Sequence, residues 1–354
     1  MWFDYYFMLL AARGKANVDL VEDRVCMIYE KLRTVQTADE LLDQAFRRAV
    51  RSAMSGSGRV VNIQRAMIQA TSDVLSDRLL RIVHDFPNFD ELSPFYSELT
   101  EIIVGTDQLR MSLSSVHWAG DMVRSLAREA LQNARRDDPV RVRKAYYARI
   151  SSIVHEVDRD LHFLNEARNK LRKLPDISDV PTIVVAGYPN VGKSSFVRRV
   201  TDAKPEIATY PFTTKGIYIG HFTHGGLRYQ VVDTPGLLDR PLSDRNEIEL
   251  QAITALNHVG DVVVLLIDPS EHCGYPLTAQ TNMFHEIEKT LAIPVIVAAN
   301  KCDLADFHGE WEHPISAETG DGVDAVMQRV IEVIDARTSR ASSTSDIAPE
   351  IIGY

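Results

Sequence analysis

The octapeptide GYPNVGKS at residues 187–194 has the composition and spacing of a phosphate-binding loop. It directly follows the apolar run 182–186 and precedes an apolar-periodic helix that begins near Ser195. A buried strand that turns on glycine and restarts as a helix directs successive backbone N–H groups at one anion. Gly187 and Gly192 permit this path because they lack a Cβ.

Two side chains of this loop have the chemistry to complete the site. Lys193 is placed to bridge the β- and γ-phosphates, and the Ser194 hydroxyl is placed to bind the Mg²⁺ that neutralises them. The loop therefore predicts a nucleoside triphosphate as the ligand. The residues of this segment that we expect to contact it are Gly187, Asn190, Val191, Gly192, Lys193, Ser194 and Ser195.

A second polar motif indicates which base is bound. The apolar run 294–299 ends in the tetrapeptide NKCD at residues 300–303. The Asp303 carboxylate can accept hydrogen bonds from the ring N–H and the exocyclic amino group of guanine. Adenine offers neither donor at those positions, so a buried carboxylate rejects it. The motif favours GTP or GDP over ATP.

The other residues of the predicted base site support the same ligand. We expect Lys301 to lie along the base and Asn300 to tie its loop to the phosphate loop. Ser316 and Ala317 follow a short apolar segment, and their backbone N–H groups are expected to meet the guanine carbonyl oxygen.

The segment between these motifs has the residues to sense the third phosphate. The strand-like run 227–232 leads into DTPG, in which Asp233 is expected to hold Mg²⁺ through water and the Gly236 N–H to donate to the γ-phosphate. Upstream, two adjacent threonines offer a hydroxyl to the same metal, and we favour Thr214 over Thr213.

The residue after DTPG bears on the rate of hydrolysis. Leu237 stands where Ras-like GTPases place a glutamine that orients the attacking water. We therefore expect slow hydrolysis unless backbone, a cation or a partner holds that water. Asn190 either helps to bind a K⁺ ion that acts like an arginine finger or only caps the turn. The residues to which we assign roles in catalysis are Lys193, Thr214, Gly236 and Asn190.

Two arginines follow the same motif. Arg240 and Arg245 are candidates for an arginine finger supplied by the chain itself, or for contact with a partner. Ion pairing with Asp239 or Asp244 is the more frequent arrangement for arginines in such a charged segment.

Several segments resemble the Obg-related GTPases, and among them most closely the Nog family of nucleolar GTP-binding proteins. They are GYPNVGKSSFVRRVT, YPFTTKGIYIGHF, VVDTPGLLDRPLSDRNEIE, QAITALNHV, HCGYP and, upstream, HDFPNFDELSPFY. The resemblance covers roughly residues 27–338. It implies a role in maturation of the large ribosomal subunit, with a precursor subunit or its rRNA as partner. Eukaryotic members carry a long basic C-terminal extension that this sequence does not show, so the resemblance does not extend to roles of that extension.

Length and composition predict two folded domains, because 354 residues with 45% hydrophobic side chains exceed what one core usually supports. We expect an all-α helical bundle at 27–175 and an α/β P-loop GTPase domain at 176–338, with a mostly parallel sheet and one antiparallel edge strand. Residues 1–26 are interpreted as an N-terminal extension, with Met27 as an alternative start. The polar run 339–354 is expected to form a disordered tail.

Local sequence patterns predict where several helices and a hairpin lie. Thr37 and Glu40 form a capping box, and amphipathic stretches follow at about 59–83, 106–134 and 139–172. The turn sequence THGG at 223–226 joins two strand-like runs and predicts the antiparallel hairpin.

Charge is unevenly distributed between the halves. Residues 1–175 carry 26 basic and 24 acidic side chains, whereas 176–338 carry 12 and 23. The basic excess is concentrated at 135–173, with 11 basic against 6 acidic residues, a stripe that either tracks RNA phosphates or forms a solvated face. The sequence contains no run of about eighteen apolar residues, and its three scattered cysteines fit a reducing cytoplasm.

Three other functions remain compatible with these motifs. They are a general Obg-like translation or stress GTPase, a binding module with negligible GTP turnover, and an ATP-dependent assembly factor.

Overall fold

The computed structural model describes residues 28–55, 59–177, 180–202, 205–208, 210 and 216–345. The chain forms two compact units that meet in sequence at residues 174 and 175. The predicted N-terminal extension lies outside the described residues.

The secondary structure of the first unit is all helical in its described part. Its α-helices are α1 Ala38–Ser55, α2 Val60–Asp85, α3 Pro94–Ile103, α4 Thr106–Asn133, α5 Pro139–Glu156 and α6 Asp158–Leu171. Helix α1 begins at the predicted capping box, in which Thr37 N donates to Glu40 Oε2 (3.0 Å) and Glu40 N donates to Thr37 Oγ1 (3.3 Å). The two long helices α2 and α4 pack along each other and bury an aliphatic core that includes Leu75, Leu79 and Val116.

The helical unit contains one helix that the sequence patterns did not predict and one interruption. Pro94 begins α3 at a position where the missing N–H has no intrahelical partner to lose. The predicted helix 139–172 is also interrupted, since buried Val157 lies between α5 and α6. Asp158 and Asp160 in the first turn of α6 favour a new helix start, because carboxylates stabilise a helix N-terminus.

The second unit contains a six-stranded mixed sheet. Its strands are β1 Thr182–Ala186, β2 Glu206–Ala208, β3 Ile217–His224, β4 Leu227–Asp233, β5 Val262–Ile267 and β6 Val295–Ala299. Their spatial order is β2-β3-β4-β1-β5-β6. Strands β4, β1, β5 and β6 are mutually parallel, so the loops that follow them meet at one edge of the sheet.

The antiparallel strand is β3, which pairs with β4 through the predicted hairpin. The expectation that this strand forms the edge is wrong, because β2 pairs antiparallel with its outer side. A three-residue strand that follows Pro205 is too short to leave an alternating pattern in the sequence.

The described part of this unit also contains the α-helices α7 Lys193–Val200, α8 Glu247–Thr254, α9 Leu277–Thr290 and α10 Val323–Ser345, and the short 3₁₀ helices Leu242–Asp244 and Ala255–His258. We expected a disordered tail from residue 339 onwards. This expectation is wrong for residues 339–345, because α10 continues to Ser345. Polar side chains are compatible with this continuation when they bond back to the preceding turn, as the Ser339 hydroxyl does to Asp335 O (2.9 Å). Residues 346–354 lie outside the described part. Among the described helices, none combines the length and apolar character that a membrane crossing needs.

Candidate nucleotide-binding site

The phosphate loop lies between β1 and α7 and adopts a backbone path that needs glycine. Gly187 and Gly192 have φ values of 136° and 103°, and a Cβ on Gly187 would lie 2.4 Å from Leu266 O. Asn190 is also left-handed at φ 64°, a conformation that asparagine tolerates better than most residues. The loop therefore folds back on itself and presents its backbone at the carboxyl edge of the sheet.

The Lys193 ammonium lies within this loop. It is largely buried, with the residue 8% exposed, and donates to Gly187 O (2.6 Å) and Tyr188 O (2.8 Å). These bonds fix a cation beside the backbone amides expected to receive the phosphates, so the loop combines a fixed charge with a helix N-terminus.

Two predicted metal ligands are brought together. The Ser194 hydroxyl donates to Asp233 Oδ2 (3.2 Å), although 39 residues separate them. Asp233 is fully buried, and its Oδ1 has no hydrogen-bond partner among the described residues. Burial raises the pKa of the Asp233 carboxyl, against the opposing effects of Lys193 and Ser194. A buried carboxylate oxygen without a donor, beside a hydroxyl, fits a hard cation such as Mg²⁺. The third predicted ligand, Thr214, and its alternative Thr213 lie outside the described residues.

The predicted base side of the site is organised by Asn300, which is 3% exposed. Its Nδ2 donates to Val191 O (2.7 Å) in the phosphate loop, and its Oδ1 accepts from Ala317 N (2.8 Å). One amide thus joins three loops, including the contact to the phosphate loop that the sequence predicts. Ser316 is buried in the same loop as Ala317, and the Asp303 side chain is exposed to solvent at this edge.

Lys301 is positioned by a residue that the sequence analysis missed. Its ammonium lies 2.5 Å from Asp268 Oδ2, and Asp268 is completely buried at the end of β5. Burial alone would raise the pKa of Asp268, but hydrogen bonds from Lys301, Ser270 and the Cys273 N–H together hold it below its usual range. The only sequence signal for this role is an acidic residue directly after a central strand.

Arg199 is a second supporting residue that the sequence did not identify. It lies on α7, the helix that the phosphate loop begins, and donates through Nε to Ala317 O (3.1 Å) and through Nη2 to Glu318 O. The helix that follows the phosphate loop therefore directly contacts residues 316–318, the predicted guanine loop. No sequence pattern distinguishes Arg199 from its neighbour Arg198, and both residues are exposed.

The segment after DTPG is held by ion pairs. The Arg245 guanidinium contacts Asp239 (3.3 Å), and Arg240 contacts Glu249 (3.1 Å). Pairing with Asp239 was the alternative expected for these arginines, and it applies to Arg245, whereas Arg240 uses an acidic residue on α8. Gly236 N, the predicted γ-phosphate donor, donates to Asp239 Oδ2 (2.7 Å).

Comparisons with known proteins bear on both units. The family described as the NOG1 N-terminal helical domain matches residues 29–178, and the one described as nucleolar GTP-binding protein 1 matches residues 247–303. An uncharacterised protein of Methanocaldococcus jannaschii is 38% identical over 289 residues, covering 78% of this chain and 81% of that protein. Nucleolar GTP-binding protein 1 of Drosophila melanogaster is 34% identical over 288 residues, covering 78% of this chain and 44% of that protein.

Solved structures give shorter matches. Nucleolar GTP-binding protein 1 from Plasmodium falciparum is 32% identical and covers 49% of this chain and 95% of that chain, with a TM-score of 0.44. The G domain of the Thermotoga maritima FeoB iron transporter is 26% identical and covers 43% of this chain and 98% of that chain, with a TM-score of 0.37.

The chain spans less than half the length of the Drosophila relative but most of the archaeal one. Two family matches together with an extensive relative above 30% identity establish that the chain belongs to the nucleolar GTP-binding protein 1 family.

Proposed function

We propose that this protein binds GTP and GDP together with Mg²⁺, hydrolyses GTP slowly, and acts in assembly of the large ribosomal subunit. The observation that carries nucleotide binding is the Asn300 amide, which joins the phosphate loop at Val191 O to the predicted guanine loop at Ala317 N. A phosphate site and a base site must be held at a fixed separation to bind one nucleotide, and a bridge between these two loops supports that assignment. The relatives in Drosophila melanogaster and Caenorhabditis elegans are named as GTP-binding proteins, which agrees with it.

The residues then take the following roles. The phosphate-loop amides and Lys193 bind the β- and γ-phosphates, and the Gly236 N–H donates to the γ-phosphate. Ser194, Thr214 and Asp233 hold Mg²⁺. When bound, the metal neutralises charge that develops on the phosphate oxygens.

Guanine selection is assigned to Asp303, whose exposed carboxylate is free to reach a base that lies along the Lys301 stem. Calorimetry with Mg²⁺ should show GDP binding far more tightly than ADP. Asp303→Asn should reverse the preference between guanosine and xanthosine diphosphates, because the amide donates a hydrogen bond to the xanthine oxygen. Asp306→Asn, three residues later and also exposed, is the matched control and should keep the guanosine preference. A wild-type protein without preference for GDP over ADP would refute the proposal.

Slow hydrolysis follows from Leu237, which is only 2% exposed and carries no group that orients water. Without assistance, we expect a rate on the order of 10⁻⁴ to 10⁻² s⁻¹. Multiple-turnover phosphate release measures it and separates a GTPase from a binding module. We further propose that Asn190, exposed at the phosphate loop, helps to bind K⁺. Single-turnover rates should then be higher in K⁺ than in Na⁺, and Asn190→Ala should remove the difference. If the single-turnover rates of the wild-type protein are equal in K⁺ and Na⁺, the K⁺ role is refuted and Asn190 only shapes the turn.

The ribosomal part of the proposal rests on family membership and on the basic stripe at 135–173. Several of its side chains are already engaged: Arg168 Nε donates to Leu32 O (3.0 Å), and the Arg143 guanidinium lies 5.0 Å from the centre of the Tyr147 ring. Others are exposed and suited to phosphate contact; they are Arg141, Lys144, Lys170, Arg172 and Lys173.

Co-sedimentation with large-subunit precursors tests this contact. We expect binding that weakens with salt and differs between GTP-analogue and GDP states. The double variant Arg141→Glu and Lys144→Glu should lower the bound fraction, whereas Lys289→Glu on α9, exposed in the other unit, should not. If wild-type protein stays in the ribosome-free fractions in both nucleotide states, the assembly role is refuted while nucleotide binding stands.

A further inference from the structure

The backbone N–H of Gly236 is already used within the chain. It donates to Asp239 Oδ2 at 2.7 Å, a distance typical of a bond to a charged acceptor. One N–H carries a single hydrogen and makes one strong bond. Asp239 and the γ-phosphate of a triphosphate, the acceptor proposed above for this N–H, therefore exclude each other.

Arg245 holds the carboxylate in this position. Its side chain is 1% exposed, and its guanidinium lies 3.3 Å from Asp239 Oδ1. The same guanidinium donates to Gly236 O (2.7 Å) and Leu237 O (2.8 Å). Arg245 thus binds both the peptide segment and the carboxylate that accepts from it, so the Asp239 to Gly236 bond is pre-organised rather than incidental.

The carboxylate of Glu249 also lies near Arg245 and remains there when Asp239 is displaced. Glu249 Oε1 lies 3.9 Å from Arg245 Nη1, and its carboxylate is fixed by the capping box that it forms with Asn246 at the start of α8. A buried cation that lost its only anionic partner would be strongly destabilised. Because Glu249 remains, Asp239 can be displaced without leaving Arg245 in that state.

We propose that Asp239 determines the selectivity of this site between nucleoside triphosphate and diphosphate, by occupying the donor that the γ-phosphate needs. The proposal rests on the nucleotide-binding function proposed above. A diphosphate leaves the Asp239 to Gly236 bond intact. A triphosphate must displace a carboxylate of like charge before it can use the N–H, so its affinity is lowered relative to that of the diphosphate.

Removal of the carboxylate tests the proposal. In calorimetry with Mg²⁺, Asp239→Ala should raise the affinity for a non-hydrolysable GTP analogue about tenfold, equivalent to about 1.4 kcal/mol. The affinity for GDP should stay within about twofold of wild type. Asp244→Ala removes an exposed carboxylate five residues later in the same segment and should change neither affinity. Asp239→Asn keeps the shape of the side chain and loses its charge, and should raise the analogue affinity about threefold.

The outcomes separate the two proposals. If the ratio of analogue to GDP affinity is unchanged in both Asp239 variants, the selectivity role is overturned. A parallel loss of both affinities overturns it too, since Asp239 would then support the site rather than compete for it. Should thermal unfolding show that Asp239→Ala is not folded, Asp239→Asn decides by the same criterion. Failure of the wild-type protein to bind GDP would instead refute nucleotide binding itself.

Discussion

Asn300→Ala is the sharpest test of how the two halves of the site are joined. The substitution removes the donor to Val191 O (2.7 Å) and the acceptor for Ala317 N (2.8 Å). Val191 is fully buried and Ala317 is 4% exposed, so neither backbone group has ready access to water in the folded site. The variant therefore leaves one carbonyl and one N–H without their partner while removing few apolar contacts.

The expected loss can be estimated from these two groups. Leaving a buried donor or acceptor unsatisfied costs about 1–3 kcal/mol, so two such groups give roughly 2–6 kcal/mol. In the free protein, loops at the edge of a sheet relax and admit water, so these groups are rehydrated and the cost falls on GDP binding, which must restore the site. We expect about 3 kcal/mol, or roughly a hundredfold weaker binding of GDP. The loss should appear mainly in affinity, because the strands that carry these loops keep their own pairing and core.

Calorimetry with GDP and Mg²⁺ measures the loss, and thermal unfolding without nucleotide measures the remaining stability. Asn257→Ala is the matched control. Asn257 Oδ1 accepts from Ala292 N (2.8 Å), and both residues precede strands of the sheet, at the edge opposite the nucleotide loops. That variant should lose stability without losing GDP affinity. An Asn300→Ala protein that binds GDP within threefold of wild type, or a control that loses affinity equally, would refute the reasoning.

Three further predictions address neighbouring contacts. Gly192→Ala should weaken GDP binding at least as much, since its Cβ would lie 2.1 Å from the Nδ2 of the bridging amide at a φ of 103°; a calorimetric loss clearly smaller than that of Asn300→Ala would contradict this. Arg199→Leu, which removes two hydrogen bonds to the guanine loop, should weaken GDP binding about tenfold, whereas Arg198→Leu should leave it unchanged; equal effects would disprove the distinction. Both ring nitrogens of His155 face acceptors, a backbone carbonyl one turn earlier (2.7 Å) and Asp39 (3.0 Å), so its pKa is raised and the protonated form is favoured. The stabilisation that these contacts give is present below the usual histidine pKa near 6.5 and is lost as pH rises through the raised value. The free energy of unfolding measured at pH 6 and at pH 8 should therefore contain a pH-dependent part of less than about 1 kcal/mol for this exposed pair. His155→Gln should lack this pH-dependent part.

The phosphate loop and its strand and helix were predictable because their causes are local. Gly187 and Gly192 stand where the backbone turns through positive φ, and the apolar run before them is long enough to identify a buried strand. Asn300 was predictable for a related reason: a short polar side chain directly after a buried strand must lie at the edge of the sheet. The short strand β2 was not predictable, because three residues carry no periodic signal.

The supporting residues escaped prediction because their roles depend on tertiary contacts. Arg199 meets the guanine loop across 118 residues of sequence, and Asp268 meets Lys301 across 33. A charged side chain looks the same in sequence whether it is solvated or buried against a partner. Even where pairing was expected, the partner was not determined: Arg245 uses Asp239, as anticipated, but Arg240 uses Glu249 on α8.

The two parts of the proposed site differ in whether a ligand must displace contacts within the protein. The base side is held without a ligand, since Asn300, Arg199 and Asp268 satisfy its loops through side chains that a nucleotide need not displace. On the phosphate side, the donor at Gly236 is taken by Asp239, so a γ-phosphate must compete for it. Under the competition that we propose, a diphosphate fits the arrangement as it stands and a triphosphate changes it. The nucleotide state is then reported by residues 236–245, while the base contacts stay the same in both states.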